Sequence, residues 1–104
     1  MQHVLKPKEI HYFHTEKDHV IAVMETYSFI LIEKLYELEA KLPSKKFIRF
    51  SKSVIANLHQ LHRFEPSFNG TLCVYFKSGR KEYLSRNYVP GIKKALKMNR
   101  RKDK

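Results

Sequence analysis

The side chains best suited to chemistry in this sequence are six histidines, one cysteine and two runs of cations. His11/His14 and His59/His62 recur at three-residue spacing. On a helix that spacing would put both rings on one face, whereas in a strand it points them to opposite faces. His11 and His14 fall in strand-like sequence, and no Cys, Asp or Glu pair completes a tetrahedral metal set with either histidine pair. The lone Cys73 lies among apolar neighbours and reads as a small core residue, which removes both a disulfide framework and a cysteine zinc site. There is no G-x-S-x-G elbow, and the three scattered glycines build no phosphate loop. The chain reads as a non-enzyme without metal or cofactor.

The cations carry a stronger signal. The segment Lys45-Lys46-Phe47-Ile48-Arg49-Phe50-Ser51-Lys52-Ser53 interleaves cations and hydroxyls with apolar anchors, and Ser85-Arg86-Asn87 forms a second, shorter cluster. A DNA reader needs cations that meet phosphates and a few side chains that reach base edges. Phe47 and Ile48 are suited to fix the backbone while Arg49, Ser51, Lys52 and Ser53 present donors. Arg86 has the geometry to pair bidentately with guanine O6 and N7, and Asn87 to contact phosphate or cap a helix.

The charge distribution agrees. The net charge is +11, yet residues 1–40 hold four cations against seven acids, a net of −3. Residues 41–104 carry +14, of which residues 93–104 supply +6. The remaining +8 lies on residues 41–92, so the basicity is not confined to a tail and points to a polyanion-binding face. One cysteine, no signal-peptide pattern and no apolar run near the roughly 18 residues of a membrane span fit the reducing cytoplasm.

These side chains need elements to hold them. Residues 10–14, 20–25 and 27–32 are rich in Val, Ile, Tyr and Phe and predict three strands. Ile32, Leu35, Leu38 and Leu42 then recur at three- and four-residue steps, predicting an amphipathic helix over 32–42 that Pro43 ends. Residues 58–64 fit either a helical face or the first arm of a hairpin. Asn69-Gly70 and Ser78-Gly79 read as hairpin turns separating strands at 64–68, 71–76 and 81–84. A last helix is predicted over 88–98, capped by Asn87, with Pro90 in its first turn. The internal helix is acidic and ill suited to a major groove, so loops between strands are the expected readers.

The ordered motifs resemble the LytTR DNA-binding domain family. The resemblance rests on Leu35-Tyr36-Glu37-Leu38-Glu39-Ala40-Lys41-Leu42-Pro43 and on Phe47-Ile48-Arg49-Phe50-Ser51-Lys52-Ser53-Val54-Ile55-Ala56-Asn57-Leu58. It continues through Phe64-Glu65-Pro66-Ser67-Phe68-Asn69-Gly70 and Leu84-Ser85-Arg86-Asn87-Tyr88-Val89, covering residues 10–96. It implies a mainly β, elongated antiparallel fold with a short amphipathic helix and a C-terminal helix. It further implies double-stranded DNA binding in bacterial transcription regulators, often behind a phospho-receiver domain in a two-component system, with direct repeats bound by two copies.

Family members read bases with side chains of three loops inserted into successive major grooves. Those positions fall here on His19, Lys52 and Arg86. The family commonly has His at Ser51, Arg at Lys52 and an aromatic at Val54, so the base preference is expected to differ. Phosphate contacts are assigned to Lys17, Lys45, Lys46, Arg49, Ser51, Ser53, Ser85 and Asn87. The expected organisation is one domain over residues 1–98 and a basic tail over 99–104. It is either a stand-alone regulator or part of a longer one. Two readings compete: an RNA-binding module that stacks bases on sheet aromatics, and a protein-interaction domain docking through the acidic N-terminal part and the 32–42 helix.

Overall fold

In the computed structural model, backbone is described for residues 9–102 and side chains for residues 9–96. Three strands, β1 (Tyr12–Glu16), β2 (His19–Val23) and β3 (Ser28–Leu31), follow the apolar runs of the sequence. The chain then forms α1 (Leu35–Lys41), β4 (Phe47–Ser51), β5 (Val54–Asn57) and β6 (Leu61–Pro66). It ends with β7 (Leu72–Phe76), β8 (Lys81–Leu84) and α2 (Val89–Lys102). Every strand pairing is antiparallel, in a five-stranded sheet ordered β3-β2-β1-β5-β4 and a three-stranded sheet ordered β6-β7-β8. The mainly β fold with a C-terminal helix agrees with the expectation.

The large sheet is buried on both faces, which is why its central strands read as continuous apolar runs rather than alternating ones. Phe13, Ala22 and Ile55 face α1 and pack with its Leu35 and Leu38. Their strand neighbours Tyr12, Val23, Val54 and Ala56 face the small sheet and meet Val74, Phe76 and Leu84, with Ile92 of α2 closing the layer. Tyr12 stacks on Phe76 with ring centroids 4.8 Å apart. Cys73 is buried in β7, as its apolar neighbours imply.

Several boundaries differ from the sequence expectation. The helix begins at Leu35, not Ile32, because the Lys34 amide is held by the Glu37 carboxylate at 2.7 Å, a cap that starts the helix one residue later. Ile32 therefore stays outside it and is 97% exposed. The ambiguous 58–64 stretch divides into a 3-10 turn, Leu58–Gln60, and strand β6. Asn69-Gly70 is not a two-residue hairpin turn: it belongs to a longer connection with a 3-10 turn, Phe68–Gly70, closed by Ser67 N–H donating to the Thr71 carbonyl at 2.8 Å. Asn87 does not cap a helix. It lies inside a 3-10 turn, Arg86–Tyr88, which continues into α2, while Ser85 takes the cap position without a side-chain capping bond. The backbone of α2 runs to Lys102, past the expected end at Met98. The side chains of the expected basic tail, residues 99–104, lie outside the described residues. No helix among the described residues is long and apolar enough to cross a membrane.

Asn57 is the buried polar residue that joins these parts. Its side chain donates to the Ile10 carbonyl at 2.8 Å and accepts from the His59 amide at 2.9 Å. Its own amide donates to the His11 carbonyl at 2.9 Å. Asn57→Ala strands the buried Ile10 carbonyl and removes the partner of the His59 amide, so it is expected to destabilise the fold by about 2–3 kcal/mol. A lower urea midpoint at unchanged m-value checks this.

His11 is 4% exposed, and its Nδ1 has no hydrogen-bond partner among the described residues. Burial pushes its pKa below the ordinary value; Glu25 opposes this, and Arg80 and Lys77 add to it. The unfolded chain therefore takes up this proton at higher pH than the folded one. The stability contribution is complete above about pH 6.5 and is lost as pH falls toward the lowered folded value. His11→Phe is expected to flatten this part of the stability–pH curve, as read by thermal midpoints between pH 5 and 7.5.

Candidate nucleic-acid interface

The three loops singled out by sequence are gathered at one end of the molecule by two backbone hydrogen bonds. The first joins β1 to the β4–β5 turn: Thr15 N–H donates to the Ser53 carbonyl at 3.0 Å. Beyond Thr15, Glu16 pairs with His19, so Lys17 and Asp18 form the two-residue tip of the β1–β2 hairpin. Lys17 adopts φ 57°, a left-handed conformation that disfavours a side chain. His19, Lys17 and Asp18 are all exposed there. The hairpin tip lies about two strand spacings, or about 10 Å, from the β4–β5 turn.

The second bond joins the sheets. Strand β4 carries a bulge in which the register passes from Arg49 opposite Ile55 to Ser51 opposite Val54, leaving Phe50 without a partner. The ring of Phe50 is fully buried, and its carbonyl accepts from Ser85 N–H at 2.9 Å. Lys52 lies two residues beyond Phe50 and Arg86 one residue beyond Ser85. One bond therefore brings these two exposed cations together.

The β4–β5 turn is braced from beneath by Arg49. Its Nε donates to the Ser51 carbonyl at 2.7 Å, one terminal nitrogen to the Lys52 carbonyl at 2.8 Å, and the other to Glu39 Oε1 at 2.5 Å. Only 18% of this side chain is exposed. The guanidinium of Arg49, expected at a phosphate, is engaged here by the turn and by α1. Glu39, ten residues away in sequence, is a partner that sequence reasoning missed, and only its place on the polar face of α1 hinted at it. The Ser51 hydroxyl accepts from Ser53 N–H at 3.2 Å, which tightens the same turn.

Other expected contacts are distributed differently. Lys45 and Lys46 are exposed at the start of β4, six residues from Lys52, and so about 20 Å from the gathered loops. Asn87 is exposed and lines a cleft of about 290 Å³ with Glu39, Arg49 and Tyr88. Ser85 is half-buried and anchors the seam through its amide. Gly70 was read from sequence only as a turn residue. It has φ 78°, and a Cβ on it would fall 2.7 Å from Cδ of Arg86, so the loop backbone lies against the stem of that arginine.

This arrangement is a row of exposed cations and hydroxyls on short, backbone-braced loops. Comparison with known proteins shows the family of the chain. The model of the LytTr DNA-binding domain matches residues 1–97. The chain belongs to the LytTr DNA-binding domain family. It is 33% identical over 93 residues to the sensory transduction protein LytT of Bacillus subtilis, covering 89% of this chain and 39% of that protein. An uncharacterized HTH-type transcriptional regulator of Staphylococcus aureus is 34% identical over 94 residues, covering 90% of this chain and 63% of the relative. The chain thus spans less than two thirds of either relative.

A solved LytTr DNA-binding domain from Bacillus cereus superimposes with a TM-score of 0.80 at 22% identity, covering 86% of this chain and 82% of that one, and shows the same fold. No helix–turn–helix is present among the described residues of this LytTr domain, because five strands separate α1 from α2.

The role of Arg49 can be separated from simple charge. Arg49→Lys keeps the cation but loses the planar fork that holds three acceptors. It is expected to lower affinity for a specific duplex by about tenfold while leaving the salt dependence unchanged, as read by fluorescence anisotropy across a salt series. Full retention of affinity would return Arg49 to the role of an ordinary phosphate contact.

Proposed function

We propose that this domain binds double-stranded DNA sequence-specifically, reading base edges in the major groove with Arg86, Lys52 and His19. The observation that carries the reading is the pair of bonds, Thr15 to Ser53 and Ser85 to Phe50, that aligns three loops at one end. Arg86 takes guanine O6 and N7 bidentately, and Lys52 and His19 reach neighbouring bases. Lys17, Ser51, Ser53, Ser85 and Asn87 donate to phosphates around them, and Lys45 and Lys46 meet the backbone about six base pairs away. Two copies occupy direct repeats. In a longer parent protein a receiver domain supplies the signal, a reading supported by one relative's being named a sensory transduction protein.

The competing readings fare worse on specific contacts. An RNA platform needs several open aromatic faces on a sheet; on the small sheet Tyr83 is exposed, but the Arg63 guanidinium covers the Tyr75 ring at 4.0 Å and is itself paired with Glu65. Docking through the acids of α1 and the residues before it is weakened because Glu39 is engaged by Arg49, and Glu33, ahead of the helix, by Lys41 at 3.0 Å.

Selection of bound sequences from a random duplex pool tests the proposal, with an enriched direct repeat as the expected result. On the selected site, Arg86→Ala is expected to weaken binding by about 1–3 kcal/mol and to relax preference at one position. Equal losses on selected and random duplexes would reduce Arg86 to a phosphate contact. Affinity is expected to fall steeply with salt, with a log–log slope of about −0.9 per phosphate neutralised. A flat response would overturn the electrostatic account.

A further inference from the structure

Phe68 is 81% exposed and has no ring partner among the described residues. Isolated exposed apolar side chains are common and by themselves mean little. The position of this one is unusual. It opens the 3-10 turn Phe68–Gly70, and the last residue of that turn lies against the stem of Arg86. The Cα of Phe68 is at most about 7.6 Å from that of Gly70.

The turn is held firmly. Asn69 and Gly70 both take left-handed conformations, with φ 61° and 78°. Ser67 N–H donates to the Thr71 carbonyl at 2.8 Å, and Thr71 N–H to the Phe68 carbonyl at 3.2 Å. A bulky apolar ring is thus presented to solvent on a braced loop beside the cation assigned to base reading. Charge alone would favour a lysine here. An apolar group beside a base-reading arginine fits the one apolar feature of the major groove, the C5-methyl of thymine. Stacked bases are 3.4 Å apart along a strand, so the two side chains can reach bases one or two steps apart.

We infer that the β6–β7 loop is a fourth DNA contact, in which Phe68 packs on a thymine methyl within two base steps of the base read by Arg86. This deepens the proposed function and rests on its placement of Arg86 in the groove.

The test uses duplexes carrying the selected site, with each thymine replaced in turn by deoxyuridine, which removes only the methyl group. Wild-type protein is expected to lose about fourfold in affinity at one thymine, the equivalent of burying one methyl. Phe68→Ala is expected to lose a similar factor on the thymine duplex and nothing further on the uridine duplex. Phe68→Leu is expected to retain part of the discrimination. Unchanged thermal midpoints for both variants exclude a folding defect. The inference is overturned if wild-type protein ignores every thymine methyl, if Phe68→Ala still distinguishes thymine from uridine, or if it binds both duplexes like wild type. Arg86→Ala measured on the same series separates the two layers. Thymine discrimination that survives while Arg86→Ala leaves every base preference intact would sink the Arg86 reading and spare the Phe68 contact.

Discussion

The bond from Ser85 N–H to the Phe50 carbonyl is the constraint on which the interface depends. Strand β4 lies at the edge of the five-stranded sheet, and the bulge between Arg49 and Ser51 leaves Phe50 without a register partner in β5, so its carbonyl is open to the second sheet. The Phe50 ring simultaneously enters the core between the sheets, meeting Phe76 at 6.4 Å. Backbone direction and side-chain burial at this residue are therefore one event, and together they fix where the chain leaves β8 and where Arg86 emerges.

The same region explains what was and was not legible in the sequence. Strands β1 to β3 and the Ser78-Gly79 turn were legible because β-branched runs and a glycine with φ 94° are local signals. The β4–β5 hairpin was legible only as a cationic segment: its bulge breaks the two-residue alternation that would have marked a strand. The burial of Arg49 depended on Glu39 from another element, and no local pattern announces such a pair. The Asn87 cap failed for a related reason. The first turn after β8 is positioned by the seam at Ser85, so the chain tightens into a 3-10 turn two residues earlier than cap preference suggested.

Charge is likewise divided by geometry. Some cations of the basic part are occupied within the fold: Arg49 by Glu39, Arg63 by Glu65 and Lys41 by Glu33. The acids of the N-terminal part thus do more than dilute the net charge. One of them, Glu39, helps hold an arginine beneath the β4–β5 turn. Surface pairs of this kind add little stability, but the Arg49 fork also engages two turn carbonyls, so its value is in shape. What remains outward at the loop end is Lys17, Lys52 and Arg86.

A reader built from loops must avoid losing affinity to loop ordering. Here each loop is braced by backbone: a two-residue hairpin tip, a turn tied through its carbonyls to Arg49, and a glycine backbone lying against the stem of Arg86. The contacts that shape the loops involve main-chain atoms and buried side chains, while the tip side chains of His19 and Lys52 project away from them. Such tips can change identity without disturbing the scaffold. Lys52 is such a tip, whereas the Ser51 hydroxyl accepts from Ser53 N–H and belongs to the frame itself.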